Sequence, residues 1–151
     1  MNMTLPGRAL LLALVAMTLA ACGGKPTEPT RQDQPRASSD HPVVGQRWNL
    51  LLVGTDERLS MPETPHFIVA PNGSVSGSDG CNQINGRVNL DEGNRIQFSE
   101  LGTTRRGCAQ LEDARRVTGM MENAYRFLID HDRLVFFGPD QRVLGGWRKA
   151  N

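Results

Sequence analysis

The chain has 151 residues, of which 38% are hydrophobic and 22% charged, and its formal net charge is +1. This length allows one domain with a modest core, and the composition is ordinary for a globular protein. Charges of both signs are spread along the chain without a basic run, so nucleic acid is not expected as a partner.

The N-terminus has the pattern of an exported lipoprotein. An uncharged apolar run at residues 9–21 follows Arg8. It is shorter than the roughly 20 residues that span a bilayer, so residues 1–21 are predicted to be a signal peptide. The sequence Leu-Ala-Ala-Cys at its end resembles the bacterial lipobox, which implies cleavage before Cys22 and lipidation of that cysteine.

Two or more acyl chains on Cys22 would anchor the protein stably to a membrane. By the sorting pattern of such lipoproteins, Gly23 in place of Asp favours the outer membrane, with the domain facing the periplasm. The alternatives are an uncleaved anchor and a plain secreted protein.

A low-complexity segment follows the lipobox. Residues 23–40 are rich in Pro, Thr, Ser and Gln, and one Ala is their only aliphatic residue. Such a composition cannot bury a core and is predicted to be disordered. A flexible coil of this length reaches roughly 20–25 Å. Residues 22–42 are therefore predicted to be a lipidated tether before a folded domain at residues 43–151.

The folded part is predicted to be mainly β, because short runs rich in β-branched or aromatic residues alternate with turn signals. The first strands are expected at residues 47–53, 66–70, 75–78, 87–90 and 95–98. The Asn72-Gly73 step and residues 91–94 are typical of hairpin turns.

One helix is predicted at residues 111–124, where Ala114, Val117, Met121 and Ala124 recur at three- and four-residue spacing. Three more strands are expected at residues 126–129, 133–137 and 142–148. This pattern indicates an α+β fold, mainly β, in which a small antiparallel sheet curls into a barrel and the packed helix covers one opening.

Several motifs resemble the META domain of HslJ-like bacterial lipoproteins. The matching residues include Gly45, Trp48, Gly80, Asn82, Gly86, Thr104, Glu112 and the hairpin around Asp132. The resemblance covers nearly all of residues 43–147. It implies a small antiparallel β-barrel with a packed helix. Proteins of this family are associated with envelope stress, antibiotic tolerance or motility, and the resemblance implies no established enzymatic activity. At the turn where the family usually has glycine, this chain has His131.

Two cysteines remain once Cys22 carries the lipid, and a disulfide between Cys81 and Cys108 is the expected state in an oxidising compartment. A cysteine nucleophile would need a histidine partner, and no histidine is spaced to meet Cys81. Two cysteines without a histidine pair also make a weak metal site. The sequence therefore predicts no catalytic residue, no metal and no cofactor.

Two pairs of polar residues beside these cysteines have two interpretations each. Asn82 and Asn85 either fix their loop by hydrogen bonds or bind a ligand, and the neighbouring glycines favour loop-fixing. Arg105 and Arg106 either bind an anionic group or a partner's carboxylate, or they belong to a solvated strand end.

These features favour a non-enzymatic, membrane-anchored periplasmic domain that binds an unknown envelope protein or lipid. Two alternatives stay open. The barrel could hold an acyl chain or another apolar ligand, as the fold similarity of META domains to a lipid-binding secretion pilotin implies. The domain could also inhibit a periplasmic hydrolase.

Overall fold

In a computed structural model, the described residues are 39–91 and 93–151. The predicted signal peptide, the lipidation site Cys22 and most of the predicted tether lie outside them. No helix in this part of the chain is both long and apolar enough to cross a membrane.

The described elements occupy the predicted places. They are β1 (Arg47–Val53), β2 (His66–Val69), β3 (Ser74–Ser78), β4 (Gln83–Leu90), β5 (Ile96–Thr103), α1 (Leu111–Glu122), β6 (Arg126–Asp130), β7 (Arg133–Phe137) and β8 (Val143–Lys149).

Two strands are longer than their sequence patterns predict. Strand β4 begins at Gln83 and β5 continues to Thr103. Asn85 and Gly86, which we expected in a loop, pair with β3 on one side, and Asn85 also pairs with β5 on the other. Strand pairing on both sides of Asn85 and on one side of Gly86 holds these residues in β4, and this pairing outweighs their low intrinsic preference for strands.

All eight strands form one antiparallel sheet in the order β5-β4-β3-β2-β1-β8-β7-β6. The two ends of the sheet meet at the start of β5 and of β6. There the Ile96 N–H donates to the Tyr125 carbonyl at 3.2 Å, and the Phe127 N–H donates to the Asn94 carbonyl at 3.0 Å. Because the contact involves only the first residues of these strands, the sheet is a curled half-barrel, in agreement with the predicted mainly β fold.

The core of the half-barrel is filled by aromatic side chains. Trp48, Phe67, Phe136 and Trp147 are at most 1% exposed. The rings of Phe67 and Trp147 meet edge to face with centroids 4.8 Å apart, an arrangement that aromatic quadrupoles favour. Helix α1 packs against β1 and β5, and its buried residues are Ala114, Val117, Met120 and Met121.

The β6–β7 turn explains the glycine that the family usually has at position 131. His131 has a φ of 55°, in the left-handed region that costs most L-residues about 1–2 kcal/mol. Glycine adopts this conformation without a Cβ clash. The turn therefore keeps its shape in this chain at a conformational cost that glycine avoids.

Candidate functional site

The predicted motif loop is a tight turn after β3 that is organised by Asp79. The Asp79 carboxylate accepts the backbone N–H groups of Cys81 at 2.8 Å and of Asn82 at 2.6 Å, and the Asp79 N–H donates to the Asn82 carbonyl at 3.0 Å. Asp79 and Asn82 are each 3% exposed. Backbone donors thus satisfy the buried carboxylate, and its role is to hold the turn.

Gly80 is required by both the conformation and the packing of this turn. Its φ is +96°, and a Cβ atom there would lie 2.6 Å from Met61 Cε. Its N–H donates to Ser78 Oγ at 3.1 Å, and that hydroxyl donates to Glu63 Oε2 at 3.2 Å. Glycine avoids both the strain and the clash, so this motif position is structural.

The structure joins Cys81 and Cys108 in the disulfide that the sequence predicted, with Cα atoms 5.9 Å apart. Because the bond uses both thiols, neither cysteine of the described residues is available as a nucleophile. Within residues 39–91 and 93–151, no three His, Cys, Asp or Glu side chains come together where they could hold a metal ion.

Two further contacts fix the segment that leads to Cys108. Asn82 Oδ1 accepts the backbone N–H of Arg106 at 2.6 Å. The Thr104 N–H donates to the Gln83 carbonyl at 3.1 Å, and the Gln83 N–H donates to Thr104 Oγ1 at 3.0 Å. We call residues 104–108 the stapled segment, because hydrogen bonds and the disulfide hold its backbone to the β3–β4 turn.

The loop-fixing interpretation is confirmed for Asn82 and is wrong for Asn85. Asn82 is buried and bonded to the stapled segment, whereas Asn85 is exposed on the outer face of β4. Their odd spacing places them on opposite faces of the chain once β4 begins. The sequence pattern placed both residues in one loop and therefore assigned the same role to each.

Arg105 and Arg106 are exposed, and their guanidinium groups make no hydrogen bond or ion pair with any described residue. The backbone beneath them is held on both sides. The structure thus places two cations, neither paired with a described residue, on a fixed part of the surface beside the disulfide.

The motif residue Gly86 lies where the β4–β5 pairing shifts register, between Asn85 and Arg87. A Cβ atom at this position would lie 2.7 Å from Leu101 Cδ2 and 3.0 Å from the Ser99 carbonyl. Glycine lets β5 approach β4 closely at the irregularity.

The remaining motif residues have structural contacts too. Gly45 has a φ of +74° in the turn before β1, and buried Trp48 donates through Nε1 to the Val43 carbonyl at 3.1 Å. Glu112 is exposed in the first turn of α1, and its Oε2 lies 3.6 Å from Arg115 Nη1. An exposed ion pair at this spacing on a helix stabilises it by about 0.2–0.5 kcal/mol.

A second feature was not predicted from the sequence. We call it the seam cleft: a cleft of about 280 Å³ beside the point where the two ends of the sheet meet. It is lined by β4, β5, the end of α1 and Pro139. Within it, the Arg95 guanidinium lies over the ring of Tyr125, 3.9 Å from the centroid, as a cation–π pair.

The seam cleft was missed because its residues are far apart in the chain. Its lining brings together three carboxamides, two carboxylates, an arginine and a tyrosine. The polar members are Asn89, Asp91, Arg95, Gln97, Glu122, Asn123 and Tyr125. No local spacing connects residues 89–97 with residues 122–125, so only the closure of the sheet makes them neighbours.

Comparison with known proteins yields one family match. The META domain model matches residues 41–151. The match begins two residues before the predicted domain start at Val43 and includes His41, whose ring packs against Phe127 with centroids 5.5 Å apart. No curated protein matches the chain.

Solved structures share the fold at low sequence identity. An NMR structure of a protein from Burkholderia xenovorans has a TM-score of 0.57 and 16% identity, and the match covers 85% of this chain and 98% of that one. A crystal structure of a DUF4847 family protein from Bacteroides vulgatus has a TM-score of 0.52 and 11% identity, over 71% and 94% of the two chains. At these identities the likeness concerns the fold alone.

Proposed function

The chain belongs to the META domain family, and from this membership, its N-terminal sequence and the stapled segment we propose that it is a non-enzymatic lipoprotein of the HslJ-like type. In this proposal, Cys22 carries acyl chains in the outer membrane and the domain faces the periplasm. There the domain binds an acidic surface of an envelope protein through Arg105 and Arg106.

The observation that carries the proposal is that two arginines without a partner among the described residues stand on a fixed backbone. Arg105 and Arg106 are exposed and unpaired among the described residues, while Asn82 and the disulfide hold the segment beneath them. A fixed backbone loses little conformational entropy when a partner binds. Arginine is enriched at protein interfaces and binds carboxylates with two parallel hydrogen bonds.

The packing of the half-barrel supports a surface function over an internal acyl-chain site. The centre of the curled sheet is occupied by Trp48, Phe67, Phe136 and Trp147, each at most 1% exposed. An acyl chain bound there would have to displace aromatic rings that contact one another. Interiors packed at this density do not yield such space cheaply.

The use of both described cysteines in a disulfide supports the non-enzymatic part of the proposal.

The predicted tether restricts which partners the domain can meet. A coil of the predicted length reaches roughly 20–25 Å, so the anchored domain would meet proteins held at or near the same membrane. This confinement raises the effective concentration of such a partner and allows a modest contact surface to suffice.

The test is photocrosslinking in living cells with a photoreactive amino acid at position 103, an exposed position next to the stapled segment. We expect the unmodified sequence to yield a defined crosslinked protein in the membrane fraction. Replacing Arg105 and Arg106 together by Glu should reduce that product at least about tenfold, because two interfacial charge pairs become repulsive.

The matched control is Arg133→Glu, which reverses an exposed arginine on β7 whose guanidinium group pairs with no described residue. It should leave the crosslink unchanged. A further arm replaces Cys22 by Ser, which should abolish the labelling of the protein by radioactive palmitate in the same cells. Equal crosslinking in the double variant and the control would refute the binding surface. Palmitate labelling of the Cys22→Ser protein would refute the assignment of the anchor to Cys22.

A further inference from the structure

We propose that the seam cleft binds a saccharide of one or two sugar rings, independently of the stapled segment. The cleft lies at the start of β5, at Ile96, and the stapled segment adjoins its end, at Thr103. Seven steps along a strand separate these ends by roughly 20 Å. The two surfaces can therefore be occupied and altered separately.

The rim of the cleft presents three carboxamides, two of which have no partner among the described residues. Asn89 of β4 pairs in register with Gln97 of β5, so their side chains stand side by side on the outer face of the sheet. Both are exposed, and neither side chain bonds to another described residue. Asn123 contributes a third carboxamide, whose Nδ2 donates to the Gly119 carbonyl at 2.7 Å and whose oxygen accepts from no described residue.

The charged groups in the cleft are held in place by the protein itself. Asp91 Oδ1 accepts the N–H groups of Gly93 at 2.9 Å and of Arg95 at 3.1 Å, which leaves Oδ2 for a ligand. The guanidinium carbon of Arg95 lies 3.9 Å from the centroid of the Tyr125 ring, and this cation–π contact restricts where the N–H groups of Arg95 lie.

This set of groups fits hydroxyl groups better than other ligand chemistries. A sugar hydroxyl both donates and accepts, and planar amide, carboxylate and guanidinium groups offer adjacent sites that match two neighbouring hydroxyls. Two carboxylates, Asp91 and Glu122, outnumber the one arginine, which disfavours an anionic ligand. The mixed polar lining disfavours an acyl chain.

The size and floor of the cleft agree with this ligand class. A volume of about 280 Å³ lies just below the lower end of the usual range for ligand sites, which suits one or two rings. Apolar atoms of Ala124 and Pro139 line the cleft beside Tyr125. They offer a surface for the C–H face of a sugar ring. The backbone hydrogen bonds between Ile96 and Tyr125 and between Phe127 and Asn94 hold the two sides of the cleft together.

The experiment uses ¹⁵N-labelled protein purified from membranes in a detergent without a sugar headgroup. It is titrated separately with maltose, cellobiose and the dimer of N-acetylglucosamine while NMR shifts are followed. We expect saturable shifts at the side-chain amides of Asn89 and Gln97 with at least one disaccharide. The disaccharide that binds distinguishes an amino-sugar ligand from a plain glucan.

The variant pair is Asn89→Ala and Asn85→Ala, two exposed positions on the same face of β4. Losing one hydrogen bond should raise the Kd of Asn89→Ala about fivefold to tenfold, whereas Asn85→Ala should bind like the unmodified protein. Gln97→Ala serves as a second cleft variant if Asn89→Ala does not fold. Charge reversal at Arg105 and Arg106 should leave sugar binding unchanged.

No saturable shift with any of the three disaccharides would overturn the proposal. Equal affinities of the Asn85→Ala and Asn89→Ala proteins would overturn it as well, because the carboxamide at the cleft would then contribute nothing. Since Arg105 and Arg106 do not line the cleft, neither result bears on the envelope-partner hypothesis.

Discussion

His41 is a single residue whose surroundings favour its neutral form. Its ring packs edge-on to Phe127 with centroids 5.5 Å apart, and its Nδ1 accepts the Val43 N–H at 3.3 Å. Burial lowers the pKa of His41 below its ordinary value of 6.5, and the nearby Asp91 carboxylate opposes part of this shift. Protonation at Nδ1 would also remove the hydrogen bond from Val43.

This lowered pKa predicts a pH-dependent stability. In the unfolded chain His41 binds a proton more readily than in the folded domain, so its contribution is complete above the unfolded pKa and is lost as the pH falls through the folded pKa. We expect the free energy of unfolding by urea to decrease between about pH 7.5 and pH 5.5. His41→Gln should remove most of that decrease. An unchanged pH dependence in His41→Gln would contradict the assignment.

At the residue scale, the sequence predicted that Asn82 fixes the backbone, although its partner lies outside its own turn. The loop-fixing role of Asn82 followed from its glycine neighbours, and the structure adds its partner at Arg106. The same reasoning failed for Asn85 because strand pairing on both sides, which is not visible locally, decides its conformation.

At the scale of elements, the contact between α1 and β8 depends on the absence of a side chain at Gly145. A Cβ atom there would overlap Met120 Sδ and lie 2.7 Å from the Leu52 carbonyl. Met120 belongs to the buried face of the helix. The glycine therefore sets how closely the helix lies on the sheet.

Gly145→Ala should reduce the free energy of unfolding by about 1–3 kcal/mol, the usual cost of overpacking a core. The neighbouring Gly146→Ala is the matched control, since its Cβ would meet only the Leu134 carbonyl at 3.9 Å. We expect that change to stay within roughly 0.5 kcal/mol. Urea unfolding of both variants measures the two losses of stability. If the losses are equal, the close approach of the helix to Gly145 does not explain the destabilisation.

A second link joins the helix to the loop after β1. Arg116 donates to both carboxylate oxygens of Glu57 and, at 3.1 Å, to Asp113. These bonds lower the pKa of Glu57 and raise that of Arg116. Because the pair is on the surface, it orients the helix more than it stabilises the domain.

At the scale of the whole molecule, the disulfide connects the β3–β4 turn to the stapled segment, through two cysteines that are 27 residues apart in the chain. Cys81→Ser and Cys108→Ser should each lower the free energy of unfolding by about 3–4 kcal/mol, because both remove the same restriction on the unfolded chain. Denaturation of the two variants and of the unmodified protein checks this.

Reducing agent provides the control for the disulfide prediction. It should bring the unmodified protein down to the stability of the variants and leave the variants themselves unchanged. Clearly unequal losses, or free thiols at Cys81 and Cys108 in unreduced protein, would contradict a structural disulfide.

The order of elements was determined by the sequence alone, because hydrophobic period and turn residues are local signals. The same holds for the pairing of Cys81 with Cys108, since these were the two cysteines left once Cys22 was assigned to the lipid. Tertiary structure decided the extension of β4 and β5, the fixed backbone under Arg105 and Arg106, and the seam cleft. Each arises where the curled sheet brings distant segments together, and distance in space is not encoded in any local spacing of residues.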